Sequence, residues 1–115
     1  MFVVLLTPEA QATCDDLKVK AVSSLAARKG KRKPKSSPDE GLYKQVHKAI
    51  NLLRGNPKHP GLHSHEYDSI QNPYDKTEKV FEIYAQNNTP SAYRIFWCYG
   101  PGKKELTIIA IAPHP

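Results

Sequence analysis

The last third of the chain carries the strongest constraint on its fold. "KVFEIYA", "AYRIFWCY" and "ELTIIAIA" are β-branched and aromatic runs, separated only by Asn87–Pro90 and by "GPGK". Connections this short join antiparallel strands, because a parallel crossover needs a dozen or more residues. Three consecutive antiparallel strands are therefore predicted. A sheet of that kind must cover at least one face with another layer.

The layer is legible upstream. "FVVLL" reads as a short buried strand ended by Thr7-Pro8, where the hydroxyl can cap a helix and the proline suits its first turn. Cys14, Leu17, Ala21 and Leu25 then recur at helical spacing until Gly30 and a basic run stop the helix. Ser37, Pro38 and Glu40 have the spacing of a capping box for a second helix. Its apolar face is Leu42, Val46, Ala49, Ile50 and Leu53, and Gly55 with Pro57 marks its end, a place where glycine accepts a left-handed cap. A weaker strand is expected between Leu62 and Ile70, and "FVVLL" must join the same sheet because no second core is available. The predicted class is α+β: a two-helix hairpin on one face of a four- to five-stranded, mostly antiparallel sheet, with the other face open to a partner. Residues 1–115 are expected to be a single domain, with a basic connector at 28–36 between the helices.

Charge and cysteine content narrow the function. The formal charge is +6, and "RKGKRKPK" at 28–35 holds six of the 17 Lys and Arg, leaving as many bases as acids elsewhere. Such a block binds RNA, DNA or an acidic protein, or is simply a solvated linker. Cys14 and Cys98 have neither a zinc-ligand spacing nor a disulfide framework, so reduced thiols are expected. The longest apolar runs fall far short of the roughly 20 residues that span a bilayer, and the amino terminus lacks the pattern of a secretory signal. A cytosolic protein is the expectation.

Chemistry-bearing residues gather at three places. "NPKHPGLHSHEY", from Asn56 to Tyr67, holds His59, His63 and His65 with Lys58. His63 and His65 would project to one side of an extended chain and could meet His59 in a zinc site, but "HPG" is also a type II turn signal and no cysteine is near. "GPGKKE" lacks the spacing of a phosphate loop and reads as a turn. In "AYRIFWCY" the alternation puts Tyr93, Ile95, Trp97 and Tyr99 on one face and Arg94, Phe96 and Cys98 on the other. Glu82 and Tyr84 of the neighbouring strand should share the face of Arg94. An arginine there either meets phosphate or forms a cross-strand pair with Glu82 that only keeps the face polar. His114 stands just after the last strand.

Taken in order, "TPEAQATCDDL", "LLRGNPKHPGLHSHEY", "KVFEIYA", "AYRIFW" and "LTIIAIAPHP" resemble the RelE/ParE toxins of bacterial type II toxin-antitoxin pairs. The resemblance spans nearly the whole chain apart from the basic connector. It implies a RelE-like fold and, for the RelE branch, ribosome-dependent endonucleolytic cleavage of mRNA, in which a ribose 2′-hydroxyl attacks its own phosphate. That chemistry needs a base, an acid and cations. The residues carried over are Arg94 for the phosphate, with His114, His63 and His65 for proton transfer. Lys58 and Tyr84 are the expected RNA contacts near that site, and the charge of the connector, outside the resemblance, adds Arg28, Lys31, Arg32, Lys33 and Lys35. Implied partners are a cognate antitoxin, the ribosome and mRNA, with no metal or small-molecule cofactor. Glu82 and Tyr84 stand where many ribonuclease members carry arginines. A ParE-like gyrase inhibitor without catalysis, or an inactive nucleic-acid-binding relative of the fold, therefore stays open.

Overall fold

The computed structural model describes residues 1–29, 37–86 and 92–113. The order is β1 (Val3–Leu6), α1 (Pro8–Arg28), α2 (Pro38–Gly55), a 3-10 turn at Pro60–Leu62, β2 (His65–Glu66), β3 (Phe81–Tyr84), β4 (Tyr93–Tyr99) and β5 (Glu105–Pro113). The strands form one sheet in the order β1-β5-β4-β3-β2. β1 runs parallel to β5 and every other pairing is antiparallel. This is the predicted α+β arrangement with five strands. The expected loop at Asn87–Pro90 falls outside the described residues, as does most of the basic connector.

Both helices start as their sequences require. The Thr7 side chain accepts from the Ala10 N–H at 3.1 Å and donates to the Ile109 carbonyl at 2.7 Å. One hydroxyl thus caps α1 and ties it to an irregular point of β5, where Phe96 faces Ala110 but Trp97 faces Ile108, leaving Ile109 as an extra residue. At α2 the capping box is complete: Ser37 Oγ accepts from the Glu40 N–H, and the Glu40 carboxylate accepts from the Ser37 N–H. Glu40 is only 5% exposed and also takes the Arg28 guanidinium at 2.9 Å. These bonds, the one from Arg28 first, hold its carboxyl down to about 2.

The core lies between the helices and the inner sheet face. Ala10, Leu17, Val46, Ala49, Ile50 and Leu53 meet Ile83, Ile95, Trp97, Leu106, Ile108 and Ile111. Burying aliphatic side chains of this size stabilises by about 1.5–3 kcal/mol each.

Three local expectations are corrected. The stop of α2 is not a left-handed glycine: Asn56 is the cap, with extended φ −159°, and its side chain accepts from the Lys58 N–H at 3.0 Å. "HPG" is not a type II turn. His59 Nδ1 accepts from the Gly61 N–H at 2.9 Å, which winds Pro60–Leu62 into a 3-10 turn and shifts the positive φ to His63, at 50°. The predicted strand from Leu62 to Ile70 shrinks to two residues, because that left-handed residue breaks the extended run.

The outer sheet face is not wholly open either. The segment after β2 folds back over it, with the Tyr67 N–H bonded to the Val80 carbonyl at 2.8 Å. The Tyr67 ring sits 4.7 Å from Phe96, and the Tyr74 hydroxyl lies 2.8 Å from Thr107 Oγ1. Thr107 in turn donates to the Gly100 carbonyl at 3.0 Å. Phe96, Cys98 and Thr107 are consequently at most 4% exposed. Burial pushes the Cys98 thiol up to about 11.

Candidate active site on the uncovered half of the sheet

Beyond Phe96 the rings of Tyr67 and Tyr74 no longer form the cover, and although the Arg94 side chain is only 12% exposed, cross-strand register fixes what stands there. Tyr84 of β3 is directly opposite Arg94 of β4, and Arg94 opposite Ala112 of β5. Directly opposed residues share a face. The Arg94 guanidinium lies over Tyr84, its Cζ 3.8 Å from the ring centroid. Nη1 donates to the Ala92 carbonyl at 3.1 Å. The small Ala110 and Ala112 leave room beside the fork, and Tyr93 pairs with Pro113, so the end of β5 lies next to the arginine.

Glu82 anchors this arrangement from below. Its side chain is 3% exposed, and its Oε1 is 3.3 Å from Arg94 Nε and 3.2 Å from His65 Nε2. A buried carboxylate requires a compensating cation, and here the oxygen that faces Arg94 also faces an imidazole nitrogen. Glu82 Oε2 and Arg94 Nε make no hydrogen bond among the described residues. The pairing of β2 with β3 explains the placement: His65 lies opposite Glu82 in the register. His65 Nδ1 is 3.1 Å from the His63 carbonyl. Both ring nitrogens thus face acceptor atoms. The His63 and His65 rings are 5.8 and 5.7 Å from Tyr84, the second edge-on.

The sequence-derived candidates separate accordingly. Arg94, Tyr84, His63 and His65 converge on one spot. Lys58 is exposed on the turn after α2 and borders a groove with His59, His63 and His65. Arg28 lies elsewhere, engaged by Glu40 at the α1 and α2 ends. His114 and Lys31, Arg32, Lys33 and Lys35 fall outside the described residues. Among the described residues no group of three His, Cys, Asp or Glu side chains could hold a metal ion. The imidazoles gather around an aromatic ring instead.

Neither a scan against protein-family models nor a search of curated proteins gave a match. Solved structures did. The chain is similar to a YoeB/ParE toxin from Agrobacterium tumefaciens, 8% identical, with a TM-score of 0.59 over 97% of this chain and 98% of that one. It is likewise similar to a chain of the archaeal RelE-RelB complex from Pyrococcus horikoshii OT3, 10% identical, with a TM-score of 0.56 over 97% and 93%. The fold is that of the RelE/ParE toxins.

Within this RelE/ParE fold, Glu82 is the residue that sequence reasoning undervalued. It stood out only as a missing positive charge or as a surface ion-pair partner. A surface pair would be solvated; this one is buried and joins Arg94 to His65. Its alternation between Phe81 and Ile83 marked the face but not the depth, which depends on Tyr67 covering the neighbouring Phe96.

Proposed function

We propose that the chain is the toxin of a type II toxin-antitoxin pair and that it inhibits translation by ribosome-dependent cleavage of mRNA. The observation that carries this reading is Arg94 laid over Tyr84 beside two histidines, on the uncovered half of the sheet in a RelE/ParE fold. A planar guanidinium with unused donors matches a phosphate in shape and charge. In the reaction the 2′-oxygen bonds to phosphorus and the bond from phosphorus to the 5′-oxygen breaks. A base takes the 2′ proton and an acid supplies one to the departing 5′-oxygen.

Arg94 stabilises the charge that builds on the phosphoryl oxygens. His65, positioned by Glu82 at 3.2 Å, is the acid, and His63 or His114 the base. Lys58 and Tyr84 contact the RNA strand, and the basic connector adds phosphate contacts. The partner is an antitoxin that covers the uncovered half and masks Arg94, a reading supported by the RelE-RelB complex among the similar structures. No described helix is long and apolar enough to cross a membrane, and action on ribosomes places the protein in the cytoplasm.

Primer extension on mRNA from a cell-free translation reaction tests the proposal. Cuts that need both this protein and ribosomes are expected. Intact messenger would sink it. The Glu82 carboxylate, which offsets the charge of Arg94, favours a second reading as a ParE-like gyrase inhibitor; inhibition in a supercoiling assay, with messenger intact, would support that instead.

A further inference from the structure

His65 belongs to an edge strand, and around that edge the sheet presents a second recess on its helix side. Phe81 stacks on Trp97 with centroids 4.9 Å apart, and Tyr99 stands edge-on to Trp97 at 4.9 Å and to Phe81 at 5.8 Å. Opposite these rings run the Pro57–Pro60 turn and residues His63 to Glu66. The groove between them has a volume of about 540 Å³, within the range of about 300–1,000 Å³ usual for small-ligand sites.

Two features describe what would fill it. The floor is aromatic, and Tyr99 remains 43% exposed although its neighbours pack against the core. Beneath it Trp97, 1% exposed, completes the floor. The rim carries Lys58, His59, His63 and His65 against one carboxylate, Glu66, which Lys79 already engages at 2.7 Å. A flat ring attached to a phosphate satisfies both. An apolar peptide satisfies only the floor.

We propose that this groove holds the base of a nucleotide adjoining the one whose phosphate meets Arg94. The inference rests on the RNA reading of the Arg94 site. It gains continuity from His65, which borders the groove and also touches Glu82 and Tyr84 on the outer face. A strand crossing the β2 edge would meet both. Because stacking on aromatic rings accepts any base, the groove supplies affinity and position rather than a strict sequence code.

The chain has one tryptophan, so Trp97 emission reports on the groove without ribosomes and without cleavage. Titration of the full chain with an uncleavable 2′-O-methyl trinucleotide, and separately with AMP, is expected to change that emission saturably. Tyr99→Ala should weaken the trinucleotide by about tenfold or more. Lys58→Glu should weaken it too, with a shallower salt dependence. No saturable change at millimolar ligand, or equal responses from wild type and Tyr99→Ala, would overturn the proposal. So would a response to an acidic peptide but not to the nucleotides. Cleavage of mRNA with a silent Trp97 removes the groove and leaves the nuclease reading; a responding Trp97 with intact mRNA does the reverse.

Discussion

The two halves of the outer sheet face are built from the same three strands yet end in opposite states. Over Phe96, Cys98 and Thr107 lie Tyr67 and Tyr74, and every polar atom named there is satisfied: the Tyr74 hydroxyl by Thr107, the Thr107 hydroxyl by Gly100. Over Tyr84 lie the His63 and His65 rings and the Arg94 guanidinium, and the arginine side chain, 12% exposed, stands beside a carboxylate with an unpaired oxygen. The difference teaches that exposure on one sheet face is graded by what a neighbouring loop can cover. Apolar and neutral groups were closed off with their polar atoms matched, whereas the charged pair, Arg94 12% and Glu82 3% exposed, keeps polar atoms unmatched. Leaving buried polar atoms unmatched costs about 1–3 kcal/mol apiece. That cost marks the uncovered half as the working half.

Breaking the comparison on its uncovered side should have the largest effect. Arg94→Gln is expected to lower mRNA cleavage about 100-fold or more, the usual consequence of losing a transition-state donor, as read by primer extension at equal folded protein. Arg94→Ala should in addition cost about 3 kcal/mol in urea unfolding, since Glu82 is then buried beside His65 alone. On the covered side, Tyr67→Ala should destabilise by about 2 kcal/mol through lost ring packing and leave cleavage in place. In a Cys14→Ser background the same change should speed labelling of Cys98, whose thiol is otherwise buried and held protonated at neutral pH. Unchanged labelling would show that Tyr67 is not the cover.

Smaller effects sharpen the contrast. Tyr74→Phe removes one hydroxyl from the Thr107 chain and should cost about 1 kcal/mol in stability with no change in cleavage. Glu40, remote from both halves, offers a control on pH. Its carboxyl is depressed from 4.5 to about 2 by Arg28 and Ser37, so its contribution is full above about 4.5 and vanishes as pH falls through about 2. Denaturation of Glu40→Gln and wild type across that range should show a stability gap that closes toward acid. A gap independent of pH would mean that the ion pair is not what lowers that carboxyl.

Much of this was legible in the residues. Thr7, Ser37 and Glu40 announced both helix starts because capping is a local interaction between near neighbours. The alternation in "AYRIFWCY" assigned Ile95 and Trp97 to the core and Arg94 to the other face, since a strand's period is fixed by its pleat. Less legible was anything that depended on partners distant in sequence. Nothing in "YDSIQNPYDKTEK" has a period, so that it would roof Phe96 and Cys98 could not be read; Asn72, which accepts from the Tyr74 and Asp75 N–H groups, sets the bend. His65 reaches Tyr84 from its place opposite Glu82 in the register, but His63 does so from a left-handed backbone rather than by strand alternation. The aromatic groove escaped notice because Tyr99 continues the stripe of Ile95 and Trp97 and so reads as core, although in place it is exposed.

The most direct test of the account is a single primer-extension experiment on mRNA in cell-free translation, comparing wild type, Arg94→Gln and Tyr74→Phe at equal folded concentration. The account predicts ribosome-dependent cuts at the same positions for wild type and Tyr74→Phe and none for Arg94→Gln. Cuts by Arg94→Gln as strong as those of the wild type would contradict it.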